Sequence, residues 1–113
     1  MSNTLSVIIP AYNEEEAIAS TLRAILSAQG TILRQGNLEQ MEIIVVNDGS
    51  RDATAEQVRE VMVQQDEAGT IRRVEHPANR GYGAAIKTGF VAASGNLLGF
   101  MDADGTCEPA TFG

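Results

Sequence analysis

Short apolar bursts alternate along this chain with segments of helical periodicity, and that alternation leaves few folds open. Leu5-Ser6-Val7-Ile8-Ile9 is β-branched and ends at Pro10, the pattern of a buried strand. Ile18, Leu22 and Ile25 then recur at helical spacing. Asn13 is placed to cap that helix, with Glu14, Glu15 and Glu16 in its first turn. The helix is expected to fade near Gly30, with a loop over residues 30–40. Met41–Val46 reads as a second strand, interrupted only by the polar Glu42, and runs into the turn signal Asn47-Asp48-Gly49-Ser50. Ser50 or Asp52 is placed to cap a second helix, which carries Ala55, Val58 and Met62 on one face. Ile71–Glu75 is a shorter, more polar strand expected near a sheet edge. The loop Pro77–Gly83 leads into a third helix, Ala84–Ala93, closed by Gly95, and Leu97–Met101 is a fourth strand ending at Asp102.

This β-α-β-α-β-α-β order predicts an α/β fold, a Rossmann-like half-domain with a parallel sheet and right-handed crossovers. In such sheets ligands sit beyond the carboxyl ends of the strands. Tyr12-Asn13-Glu14, Asn47-Asp48, Asn79-Arg80-Gly81 and Asp102-Ala103-Asp104 all fall at those ends. Four polar segments are therefore expected to converge on one rim.

Bulk properties narrow the ligand. The 113 residues suit one small domain, and 43% hydrophobic residues suit a globular one. With a net charge of -7, general attraction to nucleic acid is excluded. Any phosphate compound must be held locally, by backbone amides, a helix N-terminus or a bridging metal. The single Cys107 makes neither an internal disulfide nor a cysteine-rich zinc site, which suits a reducing compartment. Leu97–Met101 is too short to span a bilayer, and Met1–Thr4 lacks the pattern of a secretory leader. The expected location is the cytoplasm, or the cytoplasmic face of a membrane for a full-length protein. His76, just before Pro77, reads as a surface loop residue rather than a ligand.

Each rim cluster has a chemical reading and a plainer one. Two carboxylates on one side of an extended segment repel unless a cation lies between them, and Asp102 and Asp104 have that spacing. Mg2+ or Mn2+ would satisfy both and leave positions for phosphate oxygens; the plainer reading is a solvated turn. Asp48 is suited to accept the imide or amide hydrogen of a nucleobase, or to close an Asx-turn. Tyr12 can pack beside a base or ribose, while Asn13 and Glu14 also serve as cap and first-turn residues. The glycines of Asn79-Arg80-Gly81-Tyr82-Gly83 let amides approach an anion at the helix start. Arg80 and Lys87 are phosphate partners or surface cations, the latter the better reading for Lys87. Gly81-Tyr82-Gly83 is no dinucleotide fingerprint: Ile86 replaces the third glycine, and the segment follows the third strand.

Four segments together, SVIIPAYNEE, VVNDGSRDAT, NRGYGAAIKTGF and GFMDADGT, resemble the inverting family-two glycosyltransferases of the GT-A fold. The likeness runs from Ser6 to Thr106 and is strongest to polyprenyl- or dolichyl-phosphate sugar synthases. It implies a nucleoside-diphosphate sugar donor, a UDP- or GDP-sugar, and a polyprenyl-phosphate acceptor. By the family pattern Pro10, Tyr12 and Glu14 line the nucleoside pocket and Asp48 contacts the base. Asn79, Arg80 and Gly81 border base and ribose. Asp102 faces the ribose and the metal-bound diphosphate, and Asp104 ligates the metal, these two being the residues of the catalytic centre. Two positions beyond Asp104 stands Thr106, a poorer ligand than the Gln often found there.

The resemblance also implies that residues 1–113 are the N-terminal, donor-binding part of a longer domain, with the acceptor half outside it. The fourth strand would then be central in the full sheet, and here its open side is expected to promote self-association. Two rivals stand beside this reading. A non-catalytic nucleotide-binding module would use the same rim without turnover. LLGFMDADGT also resembles the nucleophile motif of haloacid-dehalogenase phosphatases, with Asp102 as nucleophile and Asp104 as acid/base, but that motif normally opens its domain.

Overall fold

A computed structural model of the chain describes residues 3–66 and 69–103. Four strands, β1 (Thr4–Ala11), β2 (Gln40–Asp48), β3 (Ile71–His76) and β4 (Leu97–Phe100), form one sheet in the order β3-β2-β1-β4. Every neighbouring pair is parallel. Three helices connect them: α1 (Ile18–Gln35), α2 (Thr54–Gln65) and α3 (Tyr82–Ala92).

The strands read as near-continuous apolar runs because both faces of the sheet are covered. On one face Val7, Ile9, Ile43 and Val45 pack with Ile18, Leu22, Ile25 and Ile32 of α1 and with Val58 and Val61 of α2. On the other, Ile8, Ile44 and Val46 pack with Ala85 of α3. The register sets Ile8 opposite Ile44 on one side and Phe100 on the other. From β1 to β3 the chain moves one way across the sheet with its helices on one face. It then returns over the opposite face through α3 to place β4 beyond β1, so all three crossovers have the same hand. The strand order reverses between β1 and β4, and a crevice opens there at the carboxyl ends.

Several local expectations are revised. Helix α1 does not stop near Gly30 but runs to Gln35, with Gly36 as its C-cap residue. Ile32 is fully buried in the core, worth about 2 kcal/mol. That exceeds the ~1 kcal/mol cost of one helical glycine. Asn13 does not cap α1: it has φ 54°, the helix begins five residues later, and its first turn holds no acidic residue. Glu14 instead accepts from the amides of Ala17 and Ile18 through its carbonyl, closing a separate turn. Asp52, rather than Ser50, meets the start of α2, accepting from the Thr54 amide at 3.0 Å. Strand β3 is the expected edge. It includes His76, which is buried and not a surface loop residue, because register places it beside Asp48.

Among the described residues β4 pairs only with β1, and Leu97, Leu98 and Phe100 are 40–44% exposed. No helix is long and apolar enough to cross a membrane among the described residues.

At the opposite end of the sheet, half-buried Glu42 gathers the turn between α3 and β4. Its Oε2 accepts from the Ser6 hydroxyl at 2.5 Å, the Ser94 amide at 2.6 Å and the Ser94 hydroxyl at 2.8 Å. Its Oε1 pairs with Arg72 at 3.0 Å. Burial alone would raise its pKa, but these donors outweigh burial and hold it at about 2, against 4.5 ordinarily. The folded form thus binds this proton more weakly than the unfolded chain. Its stabilisation is complete above pH 4.5 and disappears as pH falls through about 2. Glu42→Gln is expected to lower stability by roughly 1–3 kcal/mol at pH 7. Urea melts of both proteins should show that gap narrowing below pH 4.5 and closing near pH 2.

Candidate functional site

The crevice at the strand-order reversal is a cleft of about 300 Å³. Pro10, Ala11, Tyr12 and Glu14 line it from the end of β1 and Asp48 from the end of β2. Asn79 and Tyr82 line it from the start of α3, and Asp102 and Ala103 from beyond β4. Six expected site residues therefore meet in one place: Pro10, Tyr12, Glu14, Asp48, Asn79 and Asp102. Two expected neighbours do not line it. The Arg80 side chain, with Lys87, borders a separate groove between α3 and Val74 of β3. Gly81 reaches the site only through its amide. Asp104 lies outside the described residues.

Hydrogen bonds, not packing, fix the first wall. The Asn13 amide donates to the Ser50 hydroxyl at 2.9 Å, and the Arg51 amide donates back to Asn13 Oδ1 at 2.9 Å. The Glu14 amide donates to Thr54 Oγ1 at 2.9 Å. The Ala53 amide donates to Glu15 Oε2 at 3.2 Å, and the Glu15 amide to Asp52 Oδ2 at 3.3 Å. The turns after β1 and β2 are thus latched together. This explains Asn13's left-handed backbone, which asparagine tolerates best among non-glycine residues.

Asp48 is the hub of the second wall. Its Oδ1 accepts from His76 Nδ1 at 2.7 Å and from the Arg80 amide at 2.9 Å, and its Oδ2 from the Gly81 amide at 3.0 Å. Burial alone would raise the Asp48 pKa, but these donors hold it below the ordinary carboxylate value. The carboxylate is therefore ionised at neutral pH and only accepts. Two oxygens offer about four acceptor positions, and three are engaged. His76 in turn places Nε2 2.7 Å from Thr88 Oγ1 of α3. Gly49, at φ +71°, lets the Ala78–Asn79 backbone pass where a Cβ would stand.

The third wall is anchored from behind. The Met101 amide donates to the Ile8 carbonyl at 3.1 Å, extending the ladder past β4. The buried Thr21 hydroxyl of α1 donates to the Ala103 carbonyl at 3.0 Å. Ala103 faces the core, 3% exposed, while Asp102 is exposed at the cleft. Burial alternates over Met101, Asp102 and Ala103, and Asp104, the other half of the expected pair, lies outside the described residues. A hard carboxylate oxygen at the cleft is of the ligand type that Mg2+ or Mn2+ takes. No group of three His, Cys, Asp or Glu side chains is poised for metal among the described residues, and Asp104 lies outside them.

Three contributors were not legible as site residues: His76, Thr21 and Thr54. Each acts on a residue far away in sequence, and nothing local marks it. Gly49→Ala is expected to cost roughly 2–4 kcal/mol, from the left-handed backbone and the collision with Ala78–Asn79. Chemical denaturation measures it; a loss under 0.5 kcal/mol, about what an unconstrained surface site shows, would contradict the close approach.

Residues 6–113 match the family described as glycosyl transferase family 2. A dolichyl-phosphate beta-glucosyltransferase of Trichomonas vaginalis is 38% identical over 109 residues, 96% of this chain and 32% of its own length. The Pyrobaculum calidifontis mannosyltransferase PcManGT, solved with GDP-Man and Mn2+, superposes with a TM-score of 0.78 at 27% identity, covering 92% of this chain and 28% of that one. Glucosyl-3-phosphoglycerate synthase of Mycobacterium tuberculosis, solved with Mn2+, UDP and phosphoglyceric acid, gives 0.63 at 30% identity, covering 89% and 33%. The chain thus spans about a third of the length of these proteins. With the four-stranded parallel sheet and its rim cleft, the phosphatase reading of Asp102 gives way: the chain belongs to glycosyl transferase family 2.

Proposed function

We propose that this chain is the donor-binding part of an inverting glycosyltransferase that takes a UDP- or GDP-sugar. The observation that carries the reading is one cleft lined by an ionised, acceptor-only Asp48, the ring of Tyr12 and the exposed residue Asp102. Asp48 accepts a ring N–H of uracil or guanine, and Tyr12 packs beside base or ribose. Pro10, Glu14 and Asn79 border the nucleoside, and the backbone at Arg80 and Gly81 shapes its edge. Asp102, with Asp104 by family resemblance, would hold Mg2+ or Mn2+, whose charge offsets that building on the leaving diphosphate.

The sugar is then transferred in one displacement. The acceptor oxygen bonds the anomeric carbon while the bond from that carbon to the diphosphate oxygen breaks, so configuration inverts. For a polyprenyl phosphate, the relatives' chemistry, the acceptor oxygen is already anionic and this chain need supply no base. The cytoplasmic face of a membrane suits such an acceptor. Covering a third of its relatives' length favours a second reading, in which the isolated chain binds donor without turnover.

Calorimetry with UDP- and GDP-sugars, with and without Mn2+, tests the reading. At least one is expected to bind in a metal-dependent manner, with Asp102→Asn weakening it roughly tenfold or more, ~1.4 kcal/mol. No heat with any nucleotide sugar would overturn it.

Among the described residues the outer side of β4 has no strand partner, and Leu97, Leu98 and Phe100 are partly exposed. We expect the isolated chain to self-associate through that edge at tens of micromolar, roughly, where light scattering would detect dimers. A clean monomer there would count against it.

A further inference from the structure

His76 is the one histidine of the chain, and neither expectation nor the transfer chemistry gives it a task. It is 6% exposed, at the carboxyl end of the edge strand β3, a position where imidazole is usually solvated. Both ring nitrogens are engaged at 2.7 Å, Nδ1 with Asp48 and Nε2 with Thr88 Oγ1. An ionised carboxylate only accepts, so Nδ1 carries the proton toward Asp48. The Thr88 hydroxyl can then donate to Nε2, which fixes the ring from the α3 side. Asp48 in turn accepts the amides of Arg80 and Gly81, the two residues that lead into α3. Gly81 has φ 100°, so the entry to that helix has little local preference of its own and leans on these bonds.

We infer that His76 is a positioning residue for donor recognition: anchored by Thr88, it orients the Asp48 carboxylate toward the cleft and holds the Asn79–Gly81 segment in place. The inference rests on Asp48 meeting the nucleobase, as proposed above. It assigns base recognition to a side-chain relay, Thr88–His76–Asp48, that joins α3, β3 and β2. A carboxylate without His76 would keep two amide donors but lose the one rigid side chain that fixes its rotation. The remaining acceptor position would then no longer point at a single place. The effect should fall on the base and spare the diphosphate end, which Asp102 serves from the other wall of the cleft.

Side-chain isosteres separate the two ring nitrogens. In His76→Asn the amide nitrogen stands near Nδ1 and can still donate to Asp48; in His76→Gln it stands near Nε2 and cannot. Calorimetry of the 113-residue chain with UDP, GDP and pyrophosphate, each with Mn2+, gives the first readout. His76→Gln is expected to weaken the nucleotide that the parent chain prefers about tenfold and leave pyrophosphate within about twofold. His76→Asn should retain nucleotide affinity within about threefold, and Thr88→Val should fall between. Amide hydrogen exchange gives the second readout and needs no ligand. His76→Gln should speed exchange at Arg80 and Gly81 by tenfold or more, with the core amides of β1 unchanged. Nucleotide and pyrophosphate weakening in parallel, or unchanged exchange at Arg80 and Gly81, overturns the inference. If the parent chain binds no nucleotide while those two amides still respond, the donor reading fails and the positioning of Asp48 by His76 stands.

Discussion

The pairing of β1 with β2, buried on both faces, is the constraint from which the remaining geometry follows. Eight residues of each strand are in parallel register, from Thr4 opposite Gln40 to Ala11 opposite Asn47. Val7, Ile8, Ile9, Ile43, Ile44, Val45 and Val46 are all fully buried, so no slip is tolerated. A slip of one residue would exchange the α1 face for the α3 face and drive Ser6 and Glu42 into the larger core. Parallel pairing also sends every strand's carboxyl end to the same rim. The site is thereby placed before any of its own residues are considered.

The two ends of the sheet use polar groups differently. At the amino end, Glu42 is surrounded by donors from Ser6, Arg72 and Ser94, and its charge serves closure of the α3–β4 turn. At the carboxyl end, Asp48 is held by a comparable set of donors, yet it also lines a cleft. The difference is place: Asp48 stands at the strand-order reversal, in one cleft with Tyr12 and Asp102. Both carboxylates are depressed in pKa by hydrogen bonding against the pull of burial.

The first wall of the rim draws its rigidity from reciprocal bonds between loops. Asn13–Glu15 and Ser50–Thr54 exchange five of them, and Thr21 ties the segment after β4 to α1. Such latches are sensitive to single substitutions because each leaves a partner unsatisfied. They also let the rim carry an open cleft, since backbone amides rather than side-chain packing hold its walls.

Sequence alone determined the element order, the parallel α/β class and the gathering of Tyr12, Glu14, Asp48, Asn79 and Asp102 at one rim. These are properties of local periodicity and of where each apolar burst stops, and the four motif segments also disclosed the family. Tertiary structure decided the rest. It prolonged α1 past Gly30 because Ile32 finds a core to enter. It turned Arg80 toward the α3 groove while using its amide for Asp48. It buried His76 against a carboxylate 28 residues away and set Thr21 on a carbonyl 82 residues away. Those contacts depend on strand register and on which face each helix covers. Neither is written in any window of neighbouring residues, so only the folded chain could bring them together.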